Sequence, residues 1–159
     1  MSSIQLIINP DLPLVHSISG ELRHGTMFEI NGQMLNRDRF YVEFINGSCK
    51  PFHLSVQPSE SVIVRNHQAD KACFESKDEE RDGGCPIKYG APFRMAIVVE
   101  ENKYQVSINN VHFCEFKHRL PFATAKFFHI KGMVKIHYIK IENDHRTRST
   151  SLSELLAHL

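Results

Sequence analysis

The chain has no tryptophan among its 159 residues and no surplus of either charge, with nineteen Lys and Arg against eighteen Asp and Glu. That balance lacks the electrostatic footprint of a nucleic-acid binder. Long apolar runs are missing too, so nothing suggests insertion in a membrane. The opening "MSSIQLIINPDLP" has no basic n-region, and its four- to five-residue apolar cluster is too short for a signal-peptide core. The expected compartment is therefore the cytosol. Cys49, Cys73, Cys85 and Cys114 have no paired spacing, which fits reduced thiols better than a disulfide framework. No C-x-x-C, H-x-x-x-H, G-x-S-x-G, P-loop or dinucleotide fingerprint occurs, so neither a metal nor an organic cofactor is expected and no catalytic pair can be nominated. "NGS" at Asn46–Ser48 reads as an Asn-Gly turn rather than as a glycosylation acceptor.

What the chain does have is period-two alternation. "TMFEI", "RFYVEFI", "FHLSVQ", "SVIVRN", "PFRMAIVVE", "KYQVSI", "VHFCEF", "AKFFHI" and "MVKIHYIKI" each read as a strand. They are separated by turn signals at Asn31-Gly32, Asn46-Gly47, Pro58-Ser59, Glu101-Asn102, Asn109-Asn110 and Lys131-Gly132. Phe52, Leu54 and Val56 oppose His53, Ser55 and Gln57; Phe93, Met95, Ile97 and Val99 oppose Arg94, Ala96, Val98 and Glu100. About ten short strands without a convincing helix predict an all-β, antiparallel two-sheet sandwich or barrel. The 42% apolar content is ordinary for one folded domain of this length.

Two stretches break the rhythm. Residues 67–84, "HQADKACFESKDEERDGG", are too polar for a core strand and too long for a plain hairpin turn, and such loops are functional or mobile. After the expected domain, 1–142, residues 143–159 read as a polar linker followed by a short Leu-rich segment. There Ser151 and Glu154 form a capping box ahead of Leu152, Leu155, Leu156 and Leu159. Arg146, Arg148 and Ser151 match a basophilic kinase pattern, which is short and commonly fortuitous. Lone strand histidines such as His129 and His137 read as ordinary surface or satisfied-core residues.

The segment from His53 to Arg81 joins several features into one arrangement. His53 lies on a polar strand face, Asn66 closes "VIVRN", a long loop follows, and "EER" at Glu79–Arg81 precedes "CPIKYG". This resembles the galectins, lectins that recognise β-galactosides. Their motif runs from a strand H-x-N-x-R through V-x-N to a loop carrying W-x-x-E-x-R. "INNVHFCEFKHRLPF", "HIKGMVKIHYI" and "LPLVHSISGELRHGTMFEINGQM" are similar to further family segments in the same order, across roughly residues 10–142.

The resemblance implies a galectin-type, jelly-roll-like sandwich and a sugar site drawn from His53, Ser55, Gln57, Asn66, Phe74, Glu79 and Arg81. It puts His53 on the motif's His, Asn66 on the Asn that bonds the galactose 6-hydroxyl, and Glu79 and Arg81 on the loop's acid and base. Ser55 stands where the motif has Asn, Gln57 where it has Arg, and the Trp position falls at Ser76 or Phe74. A smaller aromatic face and a neutral amide in place of a guanidinium weaken the grip on the ring. The implied activity is non-enzymatic: a lectin of weakened or altered β-galactoside specificity, its partners glycans or glycoconjugates. The alternative is a galectin-fold interaction module, acting through a homodimer or another protein partner, that no longer binds lactose-type sugars. Family members also reach the cell exterior by a non-classical route.

Overall fold

Alternating apolar side chains need two facing surfaces to be buried, and this chain supplies both surfaces from its own strands. The computed structural model describes residues 3–18, 20, 22–69 and 78–143. These hold eleven strands: β1 (Ile4–Ile8), β2 (Leu14–Ser17), β3 (Met27–Met34), β4 (Phe40–Asn46), β5 (Cys49–Gln57), β6 (Val62–Gln68), β7 (Pro92–Val99), β8 (Lys103–Ile108), β9 (Val111–Lys117), β10 (Phe127–Gly132) and β11 (Val134–Glu142). They form two antiparallel sheets, ordered β1-β11-β3-β7-β8-β9 and β2-β10-β4-β5-β6. Among the described residues the only helical turns are two short 3-10 segments, Pro58–Glu60 and Phe122–Thr124. No helix there is long and apolar enough to cross a membrane.

Phe93, Met95, Ile97 and Val99 of β7 and Phe52, Leu54 and Val56 of β5 all point into the space between the sheets. At its centre Phe28 packs on Phe44 and Phe128 at ring-centroid distances of 5.0 and 4.8 Å, and Phe52 stacks on Tyr104 at 4.5 Å. Such aromatic pairs contribute about 0.5–1.5 kcal/mol each beyond the area they bury. The expected all-β, two-sheet sandwich is the observed architecture.

Two turn signals are corrected. Asn31-Gly32 lies inside β3, and Lys131-Gly132 ends β10, whose chain then crosses to the other sheet. Both glycines serve close backbone approach. A Cβ on Gly32 would sit 2.4 Å from the Lys135 carbonyl oxygen, beside the irregularity in β11 between Ile136 and Tyr138. Gly132, at φ +115°, has the Arg39 carbonyl oxygen and Phe40 Cα each at 2.6 Å from the Cβ position. The tight contact lets β10 lie flush against β4 under the site described next. "IQLII" and "LVHS" also form strands, the outermost of their respective sheets, where the alternation is only four or five residues long.

Candidate functional site

Antiparallel register alone brings distant polar residues into one row. On the outer face of the five-stranded sheet, His129 of β10 lies opposite Glu43 of β4, Glu43 opposite His53 of β5, and His53 opposite Asn66 of β6. The next row runs Lys131, Tyr41, Ser55 and Val64. These rows floor a cleft of about 380 Å³ lined by His53, Ser55, Gln57, Asn66, Glu79 and Arg81, with Arg39, Tyr41, Lys50, Val64 and Lys131 around them. Six of the seven residues singled out in the sequence thus meet there. Phe74 lies outside the described residues, as do Ser76, Cys73 and the segment 144–159.

The polar face of "FHLSVQ" is not a solvated one. His53, Ser55 and Gln57 are 9%, 3% and 5% exposed, sunk in the floor of the cleft. Glu43 lies deeper still, its side chain 1% exposed. His53 Nδ1 donates to Glu43 Oε2 at 2.5 Å, His129 Nδ1 to Oε1 at 3.0 Å, and Lys50 Nζ lies 2.8 Å from Oε2. Burial by itself would push the Glu43 carboxyl up. Hydrogen bonds from His53 and Lys50, and their charges, outweigh it and hold the group at about 2. A permanent carboxylate accepts only, so Nδ1 of both histidines carries the proton and each ring turns Nε2 away from Glu43. One buried acid thereby fixes two imidazoles in the same tautomer.

Neighbouring polar groups are also committed. Gln57 Nε2 donates to Ser55 Oγ at 3.0 Å, and Gln57 Oε1 is buried with no partner among the described residues. The Asn66 Oδ1 accepts the His67 amide at 2.8 Å, which assigns its other end as the donor. The Tyr41 ring, half-buried, lies 5.5 Å from the His53 ring and inclined to it by 33°.

The far wall comes from the loop that ends at Gly84. The Arg65 and Glu80 backbones exchange hydrogen bonds of 2.9 and 2.8 Å, so the returning chain pairs with β6 for one residue. Alternation across that bridge sends Glu79 and Arg81 into the cleft, where they pair with each other, and Glu80 outward to Arg119 at 2.8 Å. Arg119 also donates to the Asp78 carbonyl. From below, Arg65, whose side chain is 1% exposed, donates to the carbonyls of Ile63 at 2.9 Å and Asp82 at 2.7 Å, and to Asp82 Oδ1 at 2.8 Å. Two arginines thus clamp the loop, and neither faces the cleft.

Sequence reasoning did not single out Glu43, Lys50, Tyr41, Arg39, Lys131 or Arg65 for the site, and it treated His129 as ordinary. Period two does place Glu43 and Tyr41 on the same face of "RFYVEFI". Which residues oppose them depends on pairing with segments up to 86 residues away.

This arrangement has relatives. The family model described as Galactoside-binding lectin matches residues 13–141. Probable galaptin lec-7 of Caenorhabditis elegans is 31% identical over 137 residues, covering 84% of this chain and 74% of that protein. Human Galectin-7 is 26% identical over 136 residues, covering 82% of this chain and 98% of its own. Among solved structures, Caenorhabditis elegans galectin LEC-6 superposes with a TM-score of 0.78 at 20% identity, over 86% of this chain and 94% of that one, a likeness of fold. A family match over most of the sandwich, strands of the site included, makes this chain a member of the galectins, the galactoside-binding lectins.

Proposed function

We propose that the cleft over β4, β5 and β6 binds a β-galactoside ring, more weakly than the full family motif would. What carries this reading is the polar row His53–Asn66, with Glu79 and Arg81 bridged against it, sunk in one concave cleft. His53 and Asn66 offer fixed hydrogen-bonding atoms to ring hydroxyls, and the Glu79–Arg81 pair faces them from the loop. Ser55 and Gln57 bond each other and supply neutral groups where the motif carries a guanidinium. Neutral hydrogen bonds contribute about 0.5–1.5 kcal/mol against roughly 1.5–3 for charged ones. Lactose affinity is therefore expected in the millimolar range, about −4 kcal/mol, or weaker.

Amide NMR titration with lactose to tens of millimolar, against sucrose, tests this. Saturable shifts at His53, Asn66 and Glu79 are expected, absent with sucrose and lost in His53→Ala and Asn66→Ala proteins whose remaining spectra are unchanged. A flat lactose titration rejects the reading.

One observation favours a second role. β1 is an edge strand, and its Ile4, Leu6 and Ile8 stand 54%, 56% and 66% exposed in a line. Apolar edges of this kind are covered in many proteins by another chain. On the interaction reading a second copy covers this one. Sedimentation at rising concentration should then show a dimer that Leu6→Glu disperses; a monomer throughout removes the homodimer reading.

A further inference from the structure

The cleft is far more basic than the chain that builds it. The protein as a whole is near neutral, yet the cleft is lined by Arg39, Lys50, Arg81 and Lys131 against a single lining carboxylate, Glu79. Two of these cations have their charge answered close by: Lys50 by Glu43 beneath the floor, and Arg81 by Glu79. The other two stand together at the opposite end. Lys131 of β10 meets no carboxylate among the described residues, and its ammonium rests 5.3 Å from the centre of the Tyr41 ring. Arg39, next to Tyr41 in sequence, reaches only Glu60 at 3.1 Å, in a pair whose side chains are both about half exposed. Such pairs are weak and give way to a better partner. Gly132 presses the end of β10 against the Arg39 backbone, which fixes the two basic residues side by side.

This basic end lies beyond the residues proposed to hold the neutral ring. In that pose the 4-hydroxyl lies over His53 and the 6-hydroxyl reaches Asn66 on β6. Ring connectivity then turns carbon 3 the other way, toward β4 and β10. We propose that the β4–β10 end of the cleft is a subsite for an anionic substituent, a sulfate ester or a carboxylate, carried at position 3 of the bound galactoside. Lys131 and Arg39 supply the charge, and the Tyr41 face supplies apolar contact. The inference rests on the galactoside reading above, and it accounts for a chain that lacks the motif's Arg at Gln57 yet keeps two cations across the strand from it: Phe40 pairs with Val56, which sets Arg39 against Gln57.

The test is titration calorimetry of the full chain with lactose, 3′-sulfated lactose and 3′-sialyllactose, at low and at physiological salt. At least one acidic sugar is expected to bind about tenfold or more tightly than lactose, with a preference that shrinks as salt rises. Lys131→Gln with Arg39→Gln should bring that sugar down to the lactose value and leave lactose itself unchanged. Preference for the sulfated sugar alone identifies a sulfate subsite, for the sialylated sugar alone a carboxylate subsite, and either supports the proposal. Lactose binding as tightly as both acids, or a preference that survives the double substitution, overturns the subsite and leaves the galactoside reading standing. Binding of none of the three overturns both.

Discussion

Replacing Glu43 by alanine is expected to lower the melting temperature by about 6–20 °C and to abolish lactose-dependent shifts at His53. The side chain is 1% exposed and takes His53, His129 and Lys50 on its two oxygens. Deleting it leaves three donors crowded in the floor of the cleft without an acceptor. Breaking a buried ion pair from one side costs roughly 3–5 kcal/mol, and each kcal/mol is about 2–4 °C for a chain of this size. The binding effect has a separate cause, because without the carboxylate nothing fixes the protonated nitrogen of either imidazole. Glu43→Gln, which keeps one acceptor oxygen, should fall between the two. An alanine variant melting within about 2 °C of the parent would show that the histidines and Lys50 find other partners.

The same carboxylate has a pH signature. It is held at about 2 when folded, against 4.5 for an ordinary glutamate. Its stabilisation is therefore complete above about 4.5 and is lost as pH falls through 2. On the other sheet Glu29 is likewise held at about 2, chiefly by its hydrogen bond from Arg94, with burial opposing. Acid unfolding of the parent should accordingly steepen between pH 4.5 and 2, and Glu43→Gln should remove only part of that slope.

How much of this was legible beforehand follows from the range of each interaction. Alternation is local, so the inward Phe52, Leu54 and Val56 and the cleft-facing His53, Ser55 and Gln57 could be read from six consecutive residues. Hairpin signals at Asn46-Gly47 and Asn109-Asn110 are local as well, and both join paired strands. Gly32 and Gly132 misled because a glycine that admits a neighbouring backbone is spelled like a glycine that makes a turn. The deception had a consequence: a turn at Lys131-Gly132 takes Lys131 out of the sheet, whereas the structure puts it opposite Tyr41. Glu43 was hidden for another reason. Its value depends on His129, and nothing in "RFYVEFI" says that β10 rather than β11 lies beside it. Glu79 and Arg81 came from a motif resemblance, while the physical reason they flank Asn66, the one-residue bridge at Glu80, needed coordinates.

That bridge is tested through Arg65. The arginine is buried beneath the site and donates to two backbone carbonyls, those of Ile63 and Asp82, and to the Asp82 carboxylate. Arg65→Met fills much of the same volume yet withdraws every donor, leaving two carbonyls short of a partner at roughly 1–3 kcal/mol each. A loss of about 2–4 kcal/mol is expected. Asp82→Asn removes the charge from the other partner, whose side chain is 88% exposed, so it should cost less than about 1 kcal/mol. The asymmetry separates a backbone clamp from a simple ion pair. Amide hydrogen exchange gives the local readout. In the Arg65→Met protein the Glu80 amide, bonded to the Arg65 carbonyl at 2.8 Å, should lose protection by at least tenfold more than the His53 and Asn66 strands do. Lactose shifts at Glu79 should fade while those at His53 persist in reduced form. If Glu80 exchange instead tracks the strands, the loop opens only with the whole sandwich, and Arg119 on its outer side holds it without help from below.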